Sequence, residues 1–284
     1  MSEKKLLKIT NDYTFKRTFG YEDSGEATKI LLRDVLLDDI NSIELNNNTI
    51  TEKELMDDKV GIMDIKAVLN GNVQCDIEMQ VVNKHNIEKR GLFYWAKMYT
   101  QTIKEGNQYN DLKKSICVLI ADFELDGIKD IKKYITKWNI REEDYKSVIL
   151  TDVLEIVIIE LPKYIKYAKR EKRENLSLWL EFFKNPEVKM VMNEKDNKSV
   201  KETKQAIKQA QKNLEKISKD EHERYLAELR EKYIRDQVAV QEYGYIKGKE
   251  EGKEEIAKKL LEEGMDIETI ERITGINIKK IQEE

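Results

Sequence analysis

A run of apolar residues from Ser115 to Ala121 places the strongest constraint on the fold of this chain. An uninterrupted apolar stretch of strand length is typical of a central strand that is buried on both faces. Residues 149–161 contain a second run of this kind, and Pro162 ends it because proline cannot donate to a strand ladder. Up to about residue 160, the sequence predicts a mixture of strands and helices with buried central strands.

Helical patterns alternate with these strand patterns. Residues 11–38 predict two helices, and Asp23 or Ser24 is the expected N-cap of the second. Residues 87–105 predict another helix, which Gly106 would end. The apolar side expected for this helix consists of Leu92, Trp95, Ala96, Tyr99 and Ile103.

The C-terminal part predicts helix almost throughout, since residues 200–240 contain neither glycine nor proline. A heptad-like seam in this region indicates either a short coiled coil or an amphipathic helix folded back on the core. Residues 253–284 predict three short helices, with Asp266 as a cap and Gly264 and Gly275 as ends. They would form a DNA-reading helix-turn-helix or a small oligomerisation or capping bundle. The seam consists of Thr203, Ile207, Ala210, Leu214 and Ile217.

Composition excludes several classes of protein. The net charge of −4 over 284 residues gives no bulk attraction to nucleic acid, so any such binding needs a local basic patch. No apolar run approaches the roughly 18 residues of a transmembrane helix, and no signal-peptide pattern is present. Two cysteines make no disulfide framework, so a reducing cytoplasm is the expected compartment. With only His85 and His222, a metal would be held by carboxylates, which favours magnesium or manganese over zinc.

Two alternating strand patterns, 60–69 and 73–82, flank Asn70-Gly71, which is a strong hairpin signal. A strict two-residue turn would place Asp64 opposite Ile77 and bury a carboxylate in the core. A three-residue loop instead places Asp64 opposite Glu78 on the polar face. Directly opposed β-carbons lie roughly 5 Å apart, so the two carboxylates repel each other unless a cation or proton lies between them.

A hard divalent cation with oxygen ligands resolves this repulsion. The hairpin therefore predicts a metal site made of the Asp64 and Glu78 carboxylates and the main-chain carbonyl of Met79. Gln80, on the same face, would orient the attacking water. The alternative is an exposed polar sheet face, where charged side chains need no explanation.

The helix after the hairpin carries a polar stripe beside its apolar one. If this helix packs at the hairpin, Arg90 and Lys97 would meet phosphates, while Tyr94 packs or hydrogen-bonds. The alternative is a solvated helix face. The stripe consists of Arg90, Tyr94, Lys97 and Gln101.

Several segments, taken in order, resemble the Rpn-type recombination-promoting nucleases, transposase-related members of the PD-(D/E)XK nuclease superfamily. Each segment is short, and the ordered set makes the resemblance specific. The matching segments, which cover most of the chain, are NDYTFKRTFG (11–20), DDKVGIMDIKA (57–67), CDIEMQ (75–80), KRGLFYWAKMYTQTIKEGNQY (89–109), KKSICVLIADF (113–123), LTDVLEIVIIELPKY (150–164) and the tail GKEEG…LLEEGMDIETIERITGI.

The resemblance implies an α/β fold with a restriction-endonuclease-like PD-(D/E)XK core, in which helices flank a mixed central sheet and a long helical extension follows. It implies magnesium-dependent hydrolysis of DNA phosphodiester bonds, with manganese as the alternative ion. By motif, Asp64 and Glu78 correspond to the metal-binding acidic residues of the family. Asp12 corresponds to an additional acidic residue from the first helix, although it is equally placed to be the N-cap of that helix.

Gln80 stands where the superfamily usually has a catalytic lysine. A glutamine hydrogen-bonds water but brings no charge to stabilise the transition state. A second metal ion would compensate, as would a cation such as Lys66, Lys97 or Arg90.

The leading hypothesis is a cytoplasmic DNA endonuclease of low sequence specificity, associated with recombination or mobile elements. A nuclease domain at 1–190 would precede a helical extension at 191–284 that supplies homodimerisation, DNA docking or both. One alternative is a non-catalytic DNA-binding or assembly protein that retains the nuclease fold. Another is a coiled-coil adaptor, which predicts an exposed seam at 203–217.

Overall fold

The computed structural model describes residues 5–47, 50, 52–55, 64–83, 85–104, 106–170 and 172–277. Within these residues, a six-stranded sheet has the strand order β1-β2-β3-β4-β6-β5. The strands are β1 (Ile43–Leu45), β2 (Ile65–Leu69), β3 (Val73–Gln80), β4 (Ser115–Ala121), β5 (Ile135–Trp138) and β6 (Leu154–Glu160). The helices are α1 (Asp12–Phe19), α2 (Gly25–Leu36), α3 (Glu52–Leu55), α4 (Ile87–Thr100), α5 (Leu161–Tyr167), α6 (Glu174–Lys184), α7 (Lys198–Lys219), α8 (Glu221–Glu262) and α9 (Ile267–Thr274).

The two apolar runs form the parallel centre of the sheet. Strand β4 pairs in parallel with both β3 and β6, and every residue of β4 and β6 is buried. The prediction of buried central strands is confirmed. Pro162 lies in the first turn of α5, where its fixed φ suits a helix and its missing N–H costs nothing.

Helices cover both faces of the sheet. On one face, residues of α1, α2, α6 and α7 share a core with Ile65, Ile77 and Val118. On the other face, Ile87 of α4 packs with Cys117 and the neighbouring apolar residues of β4 and β6. The sheet is therefore mixed and flanked by helices, as the resemblance implied.

The first two helices correct one capping prediction and support another. Asn11 is the N-cap of α1, since its side chain accepts a hydrogen bond from the Thr14 amide at 3.0 Å. Asp12 is instead the first helical residue. Ser24 occupies the N-cap position of α2, but its hydroxyl accepts no hydrogen bond from a helix amide. It donates to the Tyr21 carbonyl at 2.6 Å and accepts from the Tyr21 amide at 3.2 Å.

Helix α4 ends at Thr100, before the predicted stop at Gly106. Of its predicted apolar side, Trp95 packs against the sheet core as expected, whereas Leu92 does not. The buried residues of α4 are Ile87 and Gly91, while Leu92 is 51% exposed. A methyl group added at Gly91 would lie 2.7 Å from Cδ1 of the buried Leu119. The helix thus approaches β4 through a glycine, which a search for apolar periodicity does not detect.

The heptad-like seam is buried within the fold. Ile207, Ala210 and Leu214 are 0% exposed and belong to the same core as α1, α2 and α6. The interpretation of this segment as an amphipathic helix folded back on the core is therefore confirmed. The coiled-coil adaptor hypothesis predicted an exposed seam at residues 203–217, and that prediction is wrong.

The chain divides into two compact units, residues 1–231 and 232–284. This boundary lies later than the one expected at 190/191, because α7 packs on α1, α2 and α6. Helix α8 is continuous for 42 residues across the boundary, so no separate short helix precedes Gly264. The Asp266 side chain caps α9 by accepting from Thr269, and Gly275 ends α9 in the left-handed conformation.

The third helix predicted in the tail falls largely outside the described residues, which stop at residue 277. Within the described part of unit 232–284, Ala257 of α8 and Ile270 of α9 are both fully buried against each other. Among the described helices, none combines the length and apolar character needed to cross a membrane.

Candidate active site

The hairpin that carries the acidic residues has the predicted three-residue loop. Leu69 pairs with Val73 and Ile65 pairs with Ile77, which leaves residues 70–72 as the loop. Gly71 has a φ of 68°, the left-handed conformation that glycine adopts without strain. Continuing the register by one residue places Asp64 opposite Glu78, as the sequence predicted.

The two faces of β3 have different surroundings. Cys75, Ile77 and Met79 belong to the core beneath α1 and α2. Because side chains alternate along a strand, Asp76 and Glu78 point to the opposite face, towards α4. The side chain of Met79 is therefore in the core, and only its main-chain carbonyl is available for the ligand role expected from the sequence.

Three carboxylates are buried at this site. Asp64, Asp76 and Glu78 are 3%, 4% and 2% exposed, respectively. One oxygen of each carboxylate (Oδ1 of Asp64, Oδ1 of Asp76 and Oε2 of Glu78) is buried without a hydrogen-bond partner in the described part of the chain. A buried polar atom without a partner is costly, so such atoms indicate a missing ligand.

Burial raises the pKa of all three carboxyl groups, and repulsion from a neighbouring carboxylate adds to the rise. Desolvation is the largest cause for each. The pKa of Asp76 rises to about 7, and the neighbouring Glu78 carboxylate contributes to this rise. Asp76 and Glu78 together raise the pKa of Asp64 well above its usual range. A bound cation would remove both penalties, because it favours the ionised carboxylates.

The unpartnered oxygens fit a hard divalent cation, since carboxylate oxygens are the ligands that Mg²⁺ and Mn²⁺ prefer. Over the described ranges, no three His, Cys, Asp or Glu side chains already converge as a complete ligand set. A cation here would thus need further oxygen ligands, such as a main-chain carbonyl, water or phosphate, as is usual for Mg²⁺.

Glu78 also receives two hydrogen bonds at its other oxygen, Oε1. Arg90 Nη2 donates to it at 2.6 Å, and Gln80 Nε2 donates to the same atom. The Arg90 guanidinium lies 5.5 Å from the centre of the Tyr94 ring. Arg90, which the sequence assigned to phosphate, is therefore bonded to a carboxylate of the site. Its charge lowers the pKa of Glu78, but burial outweighs this effect.

A cleft of about 390 Å³ brings the hairpin and the polar stripe of α4 together. Asp64 and Asp76 line it from the hairpin, and Tyr94, Lys97 and Gln101 line it from the helix. Further polar lining comes from Lys66, Gln74 and Lys113. The cleft thus combines buried carboxylates with lysine side chains, the combination needed to accept a cation and a phosphate backbone.

Asp12 lies beside this site but is engaged in an ion pair. Arg230 of α8 donates to both oxygens of Asp12 at 2.7–3.1 Å and to the Leu55 carbonyl at 2.8 Å. Asp12 and Arg230 are each 6% exposed, so the ion pair is buried. The negative charge of Asp12 raises the pKa of Glu78, which indicates that the two carboxylates lie near each other.

Sequence reasoning missed two residues of this region: Asp76 and Arg230. Asp76 was visible on the polar face of the strand. No local pattern marks Arg230, because its partner Asp12 is 218 residues away.

The fold and this geometry agree with the comparisons to protein families. Residues 9–244, which are most of the chain, match the family model described as PD-(D/E)XK nuclease family transposase. The chain belongs to this family. Residues 250–282 match the C-terminal HTH domain of the Rpn/YhgA-like nuclease family. No curated protein and no solved structure matches the chain.

Membership of the PD-(D/E)XK transposase family confirms the resemblance in the sequence. It supports a nuclease function, and nucleases of this superfamily generally use divalent metal ions. The nuclease and HTH matches both indicate DNA as the partner. Of the two interpretations of residues 253–284, the helix-turn-helix is the one that the family match supports.

Proposed function

We propose that this member of the PD-(D/E)XK transposase family is a metal-dependent DNA endonuclease of low sequence specificity, acting in recombination or in the movement of mobile elements. The observation that carries the proposal is the set of three unpartnered carboxylate oxygens, on Asp64, Asp76 and Glu78. A structural role alone gives no reason to bury three carboxylates on one sheet face beside a lysine-lined cleft.

The Asp64 and Glu78 carboxylates and the main-chain carbonyl of Met79 would hold the ion, with Mg²⁺ as the expected ion and Mn²⁺ as the alternative. When bound, such an ion polarises the scissile phosphate and the attacking water. Gln80 aligns the water through its amide, which already lies at Glu78. Asp12, held by Arg230, contributes negative charge from α1.

In the proposed site, Arg90 is paired with the Glu78 carboxylate. Its guanidinium neutralises one oxygen of that carboxylate, and a phosphate oxygen is an equally good acceptor for the same N–H group. Lys97 on the cleft wall would meet the DNA backbone, and Tyr94 supports Arg90 through its ring.

The character of the cleft supports low sequence specificity. Its cationic residues are lysines, which contact phosphates as point charges, and phosphate contacts carry no base information. Any sequence preference would then come from elsewhere in the chain, and the HTH match at 250–282 is the natural source.

Plasmid cleavage tests the proposal. Supercoiled DNA is incubated with Mg²⁺ and with the parent protein, Asp64→Asn or Glu78→Gln, all purified identically. We expect both variants to lose at least about 100-fold in rate, because each loses a ligand charge. Glu155→Gln is the matched control, since Glu155 is a 6% exposed carboxylate on β6 of the same sheet and does not line the cleft.

Equal nicking by the parent and Asp64→Asn would contradict the proposal and indicate a contaminant or another site. Failure of the parent to cleave, with DNA binding retained, would favour the non-catalytic DNA-binding alternative.

A homodimer through the C-terminal helices is part of the proposal, because cutting both DNA strands needs two active sites. Exposed apolar side chains along α8, such as Val240, Tyr243 and Ile246, are available for such an association. Sedimentation equilibrium of the full chain, with and without DNA, measures whether the protein is a monomer or a dimer.

A further inference from the structure

Helix α4 presents an aromatic side chain to solvent at the rim of the cleft. Phe93 is 63% exposed, and its ring meets the Tyr94 ring edge-on, with 5.6 Å between the ring centres. Tyr94 lines the cleft, and the Arg90 guanidinium, 5.5 Å from the Tyr94 ring, is bonded to Glu78. A short series of contacts therefore connects Phe93 to the acidic site.

Two lysines flank Phe93 on the surface of α4. Lys89, Phe93 and Lys97 follow one another at intervals of four residues, so they form one ridge along the helix. Both lysines are exposed, and they lie about 12 Å apart along the helix axis with Phe93 midway between them. Lys97 also lines the cleft. The ridge thus alternates cation, aromatic ring and cation beside the buried carboxylates.

The composition of this ridge favours DNA over a protein partner. Lysine is depleted at the centres of protein interfaces, whereas a phosphate backbone binds cations along its path. Phenylalanine has no hydrogen-bonding group, so it cannot hydrogen-bond to base edges in a groove. It offers a ring face for stacking, and inside a duplex the neighbouring bases already cover each base face. A strand with unpaired bases leaves these faces open.

We propose that Phe93 stacks on an unpaired base of the bound strand, and that DNA with unpaired bases is the preferred substrate of this site. Lys89 and Lys97 hold the phosphates on either side of the stacked base, and Lys97 lies where the strand enters the cleft. Stacking tolerates every base, so this preference agrees with low sequence specificity. The inference rests on the proposed nuclease function and names the form of DNA that the site receives.

Equilibrium binding of the full chain in EDTA, where metal-dependent cleavage does not occur, gives the first test. The probe is one fluorescent oligonucleotide, offered as a single strand and as a fully paired duplex. We expect Phe93→Ala to raise the Kd for the single strand about tenfold, which is typical of losing one stacked base, and to leave the Kd for the duplex unchanged. An unchanged Kd for the single strand would overturn the inference.

Leu92→Ala is the matched control. Leu92 is a 51% exposed apolar residue of the same helix, and it lies about 100° around the axis from Phe93, outside the ridge. Its loss should leave both Kd values unchanged. Equal losses of single-strand affinity in Leu92→Ala and Phe93→Ala would show a general effect of removing an exposed apolar side chain, and would overturn the inference.

Two further substitutions at Phe93 separate stacking from apolar contact. Phe93→Leu keeps an apolar side chain but no ring, so it should bind the single strand as weakly as Phe93→Ala. Phe93→Trp has a larger ring and should bind it at least as tightly as the parent. Parent-like binding by Phe93→Leu would contradict stacking. Loss of a dimer in sedimentation equilibrium of Phe93→Ala, with unchanged Kd values, would assign the ring to a protein interface instead.

Lys89→Gln tests the phosphate contacts separately. It should weaken single-strand binding several-fold and lower the salt dependence of the Kd, because one contact between a cation and a phosphate is lost. Unchanged affinity and salt dependence would show that the strand does not follow the ridge, and would overturn the inference. Lys89, Leu92 and Phe93 are exposed, so all these variants should melt like the parent.

Cleavage with Mg²⁺, at protein concentrations that do not saturate the DNA, compares a paired duplex with one that contains a central run of unpaired bases. We expect the parent to cut the second at least about tenfold faster, and Phe93→Ala to lose most of this preference. Equal cleavage of both DNAs by the parent contradicts the inference and leaves the proposed function intact. A parent that binds single strands through Phe93 but cuts neither DNA contradicts the proposed function, and the binding result still decides the role of Phe93.

Discussion

Asp76 is 4% exposed, and burial beside Glu78 raises the pKa of its carboxyl group to about 7. In an unfolded chain the pKa of aspartate is roughly 3.9. Between these two values the folded protein holds a proton that the unfolded chain releases. The free energy of unfolding therefore falls as the pH rises through this window. A divalent cation reverses the effect, because it binds the ionised carboxylates.

Asp76→Asn tests this linkage in the metal-free protein. At pH 8 the substitution removes a buried charge, and we expect a gain in unfolding free energy above about 1 kcal/mol, since one pKa unit corresponds to roughly 1.4 kcal/mol. Near pH 4 most of the gain should disappear, because the parent carboxyl is then protonated in the folded state and only about half ionised in the unfolded chain. Urea unfolding of the parent and the variant in EDTA, at pH 8 and near pH 4, measures this difference in unfolding free energy.

Asp196→Asn is the control for that experiment, because its effect on stability should change with pH in the opposite direction. Hydrogen bonds from Lys204 and the Asn193 amide lower the pKa of Asp196, so its substitution should destabilise the protein more at pH 8 than at low pH. The same pH trend in both variants would contradict the assignment to Asp76.

At the scale of elements, the approach of α4 to the sheet decides the shape of the cleft. Gly91 allows this approach, and Arg90 and Tyr94 on the neighbouring turns reach the site as a result. Nearby, the Trp95 Nε1 donates to the Ser115 carbonyl at 2.9 Å and ties the helix to the start of β4.

Gly91→Ala should therefore destabilise the protein by about 1–3 kcal/mol, because the added methyl would overlap the buried Leu119. Gly244→Ala on α8 is the matched control, since nothing lies within 4 Å of its added methyl. There we expect a gain of roughly 0.5–1 kcal/mol from helix propensity. Chemical denaturation of both variants gives the comparison, and a neutral Gly91→Ala would show that α4 does not depend on this contact.

The first turns of α8 hold α1 through one face. Glu223 accepts from Tyr13 Oη at 2.7 Å and from Arg17 Nε at 2.8 Å, and Arg230 pairs with Asp12. Leu226 of α8 and Tyr13 of α1 belong to the same small buried cluster. The start of α8 is thus part of the same compact unit as the sheet, and through Asp12 it reaches the candidate active site.

At the scale of the whole molecule, the two family matches and the two compact units divide the chain in a similar place. The nuclease match ends at residue 244 and the HTH match begins at residue 250. Contacts divide the chain after Glu231. A cut between the two matches should therefore separate catalysis from DNA docking.

A chain ending at residue 244 should melt cooperatively and cleave DNA, but bind it more weakly and with a smaller salt dependence, because the HTH domain is gone. A chain ending at residue 190 should not fold, since it lacks Ile207, Ala210 and Leu214 of the core. Calorimetry measures the melting of both truncated chains, and DNA binding at several salt concentrations measures the affinity and salt dependence of the first. Unchanged affinity in the first chain would contradict DNA docking by residues 250–282, and cooperative melting of the second would contradict the role of α7.

The sequence by itself determined much of the fold and part of the site. The apolar runs located β4 and β6, and the avoidance of a buried charge set the hairpin register that places Asp64 opposite Glu78. These features were accessible because strand alternation and the cost of burying a carboxylate act over a few residues. The positions of the helix ends were less accurate, as the early end of α4 at Thr100 shows.

Only the tertiary structure decided what surrounds those carboxylates. It bonded Arg90 of α4 to Glu78, and it paired Arg230 of α8 with Asp12 across 218 residues. It also turned α4 so that Gly91, and not Leu92, meets the sheet. Periodicity reports which residues share a face of one element. The partner of a buried charge depends on how separate elements pack, because the charge must be neutralised wherever the fold places it.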